Sequence, residues 1–120
     1  MTLSKKNKTA LLVFYTVLLA FLSFIPGSSN SCLMPGTDKI IHFLFYLLLS
    51  LICIYSEIFK KFNNEKLIII ALCTLYGIFI ECIQAVLPWR SFELLDIFAD
   101  FAGVFTGSKL ISKIYLKNNI

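Results

Sequence analysis

The sequence predicts an all-α transmembrane four-helix bundle with both termini cytoplasmic, built as a single domain over residues 1–120. Three observations carry this expectation. Apolar residues make up 58% of the 120 and charged residues only 15%, against roughly half and a quarter in a soluble domain, so no soluble core of this size would hold the excess. The apolar residues form continuous runs rather than alternating, each near the ~20 residues a helix needs to cross ~30 Å of hydrocarbon; a spanning sheet would need closure into a barrel. Finally, the Lys and Arg residues are sorted between the ends of those runs.

The first span covers about residues 9–25 and is stopped by Pro26-Gly27. Lys5, Lys6 and Lys8 before it and Ser28, Ser29 and Ser31 after it leave a cleaved signal peptide as the alternative. The run is longer than the ~7–15 residues of a signal core, which favours a retained span. The second span covers about 40–59, the third 67–87 and the fourth, more polar, 94–115. With a cytoplasmic N-terminus, Lys5, Lys6, Lys8, Lys60, Lys61, Lys66, Lys109, Lys113 and Lys117 fall inside, nine of the 11 basic residues. Lys39 and Arg90 fall outside, which satisfies the positive-inside rule. The net charge of +4 is therefore a topology signal and a contact with membrane lipids, and no nucleic acid partner is expected. Cys32, Cys53, Cys73 and Cys82 are unclustered and read as small apolar residues; with no paired Cys spacing, neither a disulfide framework nor a thiolate metal site is expected.

Five of the 7 acids, Asp38, Glu81, Glu93, Asp96 and Asp100, lie in the outer loops or the outer halves of the spans. An ionisable group inside a span costs at least ~2.5 kcal/mol, so such groups usually face the bundle interior or a wet cavity and carry function. At 1.5 Å per residue, His42 and Asp96 lie roughly 3 Å from the outer ends of their runs, Gln84 roughly 5 Å, and Tyr46, Glu81 and Asp100 roughly 9 Å. All six share a layer. Asp38, His42, Phe45, Tyr46 and Leu49 follow one helical stripe, Glu81 and Gln84 are i, i+3 neighbours, and Asp96, Asp100, Gly103 and Gly107 form another stripe. Gly103 and Gly107 are a small-xxx-small pair expected at a helix contact.

These residues also carry a resemblance. Asp38-Lys39-x-x-His42-x-x-x-Tyr46, Glu81-x-x-Gln84, Pro88, Arg90, Asp96 and Asp100-x-x-Gly103-x-x-x-Gly107 resemble, in order and spacing, the signature of the VanZ-like family of small bacterial membrane proteins. The match runs from Asp38 to Gly107 and leaves the first helix outside it. The resemblance implies a multi-pass cell-membrane protein, linked through the founding members to low-level resistance to the glycopeptide teicoplanin. Asp100 departs from the pattern, in which Asn is frequent, and its extra negative charge weakens a simple anion-binding role.

The residues themselves leave two kinds of reading for each group. His42 is either a helix-end histidine or a proton carrier near neutral pH. Glu81 is either a buried hydrogen-bonding partner of Gln84 or a lysine, or a functional carboxylate. Arg90 is either half of an exposed ion pair with Glu93 or Asp96, or a clamp for a carboxylate or phosphate. Trp89 and Tyr115 read as interfacial belt residues. No nucleophile constellation or named catalytic motif is present, and no cofactor is expected. Five acids against Lys39 and Arg90 suit a cationic group or a metal-bridged lipid phosphate better than a bare phosphate. The expectation is an outward-facing polar pocket, Asp38, Lys39, His42, Tyr46, Glu81, Gln84, Arg90, Asp96 and Asp100, that engages a cell-wall precursor lipid or a glycopeptide. The alternative is a membrane-embedded acid/base or metal-assisted enzyme acting on a lipid-linked substrate.

Overall fold

Ser4 opens the first helix by accepting a hydrogen bond from the Asn7 amide at 3.2 Å, the usual role of an N-cap serine. Helix α1 therefore runs over Lys5–Phe24, one turn further into the basic segment than the apolar run suggests. In this computed structural model the described residues are 3–24, 37–88 and 92–118, with the side chains at 37, 38 and 112–118 excepted. The other helices are α2 (Thr37–Ser56), α3 (Glu65–Val86) and α4 (Leu94–Asn118), and no strand occurs among the described residues.

The ends of the helices have local causes. Helix α2 begins at Thr37, early enough to place Asp38 and His42 on one helix, and stops at Ser56 rather than Phe59. Glu57 adopts a left-handed φ of 61°, a conformation that ends helices and is uncommon outside glycine. Ser56 supports the stop by donating to the Cys53 carbonyl at 2.7 Å. Helix α3 starts with an acidic residue, Glu65, where the helix dipole favours negative charge. It ends where Leu87 turns extended ahead of Pro88, as a residue before proline prefers.

The helices run up and down in sequence order, so α2 and α4 are parallel, and the start of α1 and the end of α4 lie toward one end of the bundle. Helix α4 packs most extensively on α2. Gly103 and Gly107 lie at this contact: a Cβ on Gly103 would collide with the Phe43 carbonyl, and one on Gly107 with the Ser50 hydroxyl. The core is built from Leu19, Tyr46, Leu49, Cys53, Ile54, Ile69, Cys73 and Val104.

By length and composition, α1, α2 from Lys39 and α3 are able to cross a membrane. Helix α4 is the long helix outside that set, and its facing shows why. Asp96, Asp100 and Ser108 are buried, whereas Phe98, Phe101, Phe105 and Leu110 are exposed. Its polar residues lower its overall apolarity but point inward, and Phe14, Val17, Phe21, Ile40, Leu44, Leu75 and Phe79 continue the exposed apolar surface over the other three helices. That inside-out arrangement suits lipid, since charged groups in membranes face the bundle interior.

Candidate functional site

Lys39 and His42 project from the first turns of α2, Glu81 from the last turns of α3, and Asp96 and Asp100 from the first turns of α4. The up-and-down topology brings these segments to one end of the bundle. There Nδ1 of His42 lies 2.8 Å from Oδ1 of Asp100, and Nε2 lies 3.5 Å from Oδ2 of Asp96. The ammonium of Lys39 bridges Asp96 at 2.8 Å and Glu93 at 3.1 Å. The Glu93 amide donates to Oε1 of Glu81 at 3.0 Å, which ties the start of α4 to the end of α3.

The carboxylates are deeply placed. Glu81 is 0% exposed, Asp100 1% and Asp96 5%, while the side chains of His42 and Lys39 remain 20% and 24% exposed. Glu81 Oε2, Asp100 Oδ2 and the Tyr46 hydroxyl are buried without a hydrogen-bond partner among the described residues. A buried polar atom left unpaired costs about 1–3 kcal/mol, so this end of the bundle holds unused bonding capacity. Tyr46 lies parallel to the His42 ring at a centroid separation of 6.4 Å.

Most of the expected pocket residues do meet. Lys39, His42, Tyr46, Glu81, Asp96 and Asp100 occupy one layer, as their depths and stripes suggest. Gln84 takes a different role: its amide donates to the Ser23 carbonyl of α1 at 2.7 Å, and Glu81 finds its partner in Glu93 instead. The Asp38 side chain and Arg90 lie outside the described residues, as do Cys32, Trp89 and the Tyr115 side chain. Cys53 and Cys73 are buried with their sulfurs 3.7 Å apart, and Cys82 is exposed.

Gly77 belongs to the site although its sequence context is an unbroken apolar run. A Cβ there would stand 2.7 Å from Oδ2 of Asp100 and 3.3 Å from the Tyr46 ring, so only glycine lets the Asp100 carboxylate lie against α3. The signal was its spacing: Cys73, Gly77, Glu81 and Gln84 follow one face of α3, and all four are buried.

The opposite end of the bundle is basic. Glu57 is held by Lys8 at 2.9 Å and Lys60 at 3.0 Å, beside a cleft of about 570 Å³ lined by Lys5, Lys8, Glu57, Ile58, Lys60 and Lys61. Hydrogen bonds from Lys8 and then Lys60, added to their charges, hold the Glu57 carboxyl well below the ordinary value, down to about 2.

A family model described as VanZ/LLP1 matches residues 4–116, nearly the whole chain. An uncharacterized protein of Schizosaccharomyces pombe is 27% identical over 99 residues, which cover 82% of this chain and 59% of the yeast protein. This chain thus spans less than two thirds of that relative's length. No solved structure matches.

Proposed function

The chain belongs to the VanZ/LLP1 family, and from that premise we propose that it is a binding protein of the bacterial cytoplasmic membrane that takes the polar headgroup of a cell-envelope component into the Lys39–His42–Glu81–Asp96–Asp100 layer. The observation that carries the reading is the burial of Glu81, Asp96 and Asp100 beside one lysine and one histidine at a single end of an apolar bundle. A bundle held together only by packing has no need of three ionisable groups there, because each raises the cost of insertion. Their acidic excess suits a cationic group or a cation-bridged phosphate, and a cell-wall precursor lipid or a glycopeptide such as teicoplanin offers such groups. The Lys-rich opposite end, with Lys5, Lys8, Lys60 and Lys61, supports an orientation with both termini cytoplasmic and the acidic layer facing outward.

The experiment expresses the full chain and Glu81→Gln at equal levels in a Gram-positive host, measures teicoplanin susceptibility, and identifies envelope lipids retained on the purified protein by native mass spectrometry. The reading expects reduced susceptibility and a retained lipid with the wild type, both lost in the variant. Unchanged susceptibility together with no retained envelope lipid would overturn it. For orientation, a C-terminal tag that stays protected from external protease in spheroplasts supports the cytoplasmic placement, and one that is cleaved reverses it.

A further inference from the structure

The acidic layer brings together a histidine and two carboxylates from three different helices, each able to offer one ligand atom. One donor atom from each of His42, Glu81 and Asp96 lies within 4.8 Å of the others. Their remaining atoms are already held: Nδ1 of His42 by Asp100, Oδ1 of Asp96 by Lys39, and Oε1 of Glu81 by the Glu93 amide. What these bonds leave over is Nε2 of His42, Oδ2 of Asp96 and Oε2 of Glu81. Nε2 and Oδ2 are 3.5 Å apart, and Oε2 is buried with no hydrogen-bond partner among the described residues. We propose that His42, Glu81 and Asp96 form a binding site for one divalent transition-metal ion, with Zn²⁺ as the best match.

The donor set decides the class of ion. Imidazole nitrogen suits Zn²⁺ and its neighbours, whereas Mg²⁺ and Ca²⁺ favour all-oxygen shells. Arms of ~2.1 Å in tetrahedral geometry put donors ~3.4 Å apart. The His42–Asp96 separation of 3.5 Å already meets this, and from within 4.8 Å a side-chain adjustment of up to about 1.4 Å draws Glu81 to the ~3.4 Å of tetrahedral donors. The hydrogen bond from Nδ1 of His42 to Asp100 fixes the ring so that Nε2 carries its lone pair toward the ion, the arrangement that usually orients metal-bound histidine. Charge points the same way. With His42 neutral, Glu81, Asp96, Asp100 and the half-exposed Glu93 outnumber the Lys39 ammonium they share, so a dication offsets negative charge at this end of the bundle. Three protein ligands leave a fourth position for water or an anionic oxygen.

This site goes beyond the headgroup reading and does not depend on it, because ion binding is measured on the full chain in mild detergent without any envelope lipid. Chelator-stripped protein is titrated with ZnCl₂ by calorimetry at neutral pH and, separately, with Co²⁺ by visible absorption. The expected result is saturable binding of one ion per chain, a Zn²⁺-dependent rise in Tm, and an intense low-coordinate Co²⁺ spectrum that Zn²⁺ but not excess Mg²⁺ abolishes. Glu81→Gln and Asp96→Asn should each weaken Zn²⁺ at least ~10-fold and Asp100→Leu, which removes the acceptor that orients His42, by ~10–100-fold, while Glu57→Gln at the other end changes nothing. The Co²⁺ spectrum is read on wild-type protein, so the test stands even if a variant fails to fold. Absence of saturable Zn²⁺ binding by the wild type, a Co²⁺ spectrum of the free aquo ion, displacement by Mg²⁺, or undiminished affinity in folded Glu81→Gln and Asp96→Asn would each overturn the site.

Discussion

Nδ1 of His42 and Oδ1 of Asp100 meet at 2.8 Å across the contact between α2 and α4, and this bond determines which ring nitrogen is left facing Asp96. The imidazole is therefore expected in the tautomer with hydrogen on Nδ1, a state that nitrogen-15 NMR of the labelled protein distinguishes. Asp100→Asn keeps an acceptor oxygen at that position and should retain the tautomer. Asp100→Leu removes the acceptor and should lose both the tautomer and about 1.5–3 kcal/mol of stability, the range for a hydrogen bond to a charged group.

Gly103 tests how α4 sits on α2. The atoms that a Gly103→Ala methyl would strike are the Phe43 carbonyl and the Leu47 amide, main-chain groups that cannot rotate away. A loss at or above the ~1–3 kcal/mol typical of overpacking is expected, read from Tm in mild detergent. Gly107→Ala meets the Ser50 side chain as well as the Leu47 carbonyl at 2.8 Å. Adding Ser50→Gly should recover part of its loss in a double-mutant cycle, whereas the same change should not help Gly103→Ala.

At Gly77 the expected effect runs against helix propensity. In an open helix, Gly→Ala stabilises by roughly 0.5–1 kcal/mol. Here the methyl would displace the Asp100 carboxylate, so Gly77→Ala should lower Tm and shift the His42 ring signals together. A stabilised Gly77→Ala protein with unaltered His42 signals would remove α3 from the support of this pair.

Glu57 supplies a pH dependence at the basic end. Its folded value of about 2 lies below the ordinary value of 4.5, so its contribution is fully present above 4.5 and disappears as pH falls toward 2. Unfolding followed between pH 7 and pH 2 should show a Glu57-dependent loss of stability across that interval. Glu57→Gln should flatten that part of the profile, and high salt should shrink it, because Glu57 is solvent-accessible and its ion pairs are screened. Comparing Glu57→Gly with Glu57→Gln separates conformation from charge: both abolish the pH step, and only the glycine relieves the φ of 61°.

The helix number, the shared layer and a close helix contact at Gly103–Gly107 were legible in the sequence because each follows from period and depth; that α2 is the partner was not. Asp38, His42 and Tyr46 repeat every four residues, as do Asp96, Asp100 and then Gly103–Gly107, and equal counts from the ends of the runs place them at one level. What period does not encode is a dihedral or the rotation of a neighbouring helix. The second apolar run continues through Ile58 and Phe59, yet α2 stops at Ser56 because Glu57 turns left-handed. Glu81 and Gln84 are adjacent on α3, yet they serve different neighbours, because α1 presents the Ser23 carbonyl to one and the α3–α4 connection presents the Glu93 amide to the other.

The docking of α1 draws little on the identity of its own side chains. Tyr76 donates to the Thr16 carbonyl at 2.6 Å, Gln84 to the Ser23 carbonyl at 2.7 Å, and Tyr15 of α1 in turn to the Phe45 carbonyl at 2.6 Å. In all three the acceptor is main chain, which every residue type provides. Residues 16 and 23 of α1 are thus read by position rather than by identity, and most of its side chains, apart from the buried Leu19, look outward. Such a helix is free to drift in sequence as long as it stays apolar and helical, so a library randomised over its outward positions should retain folded protein, whereas the same diversity at Tyr76 or Gln84 would unfasten it.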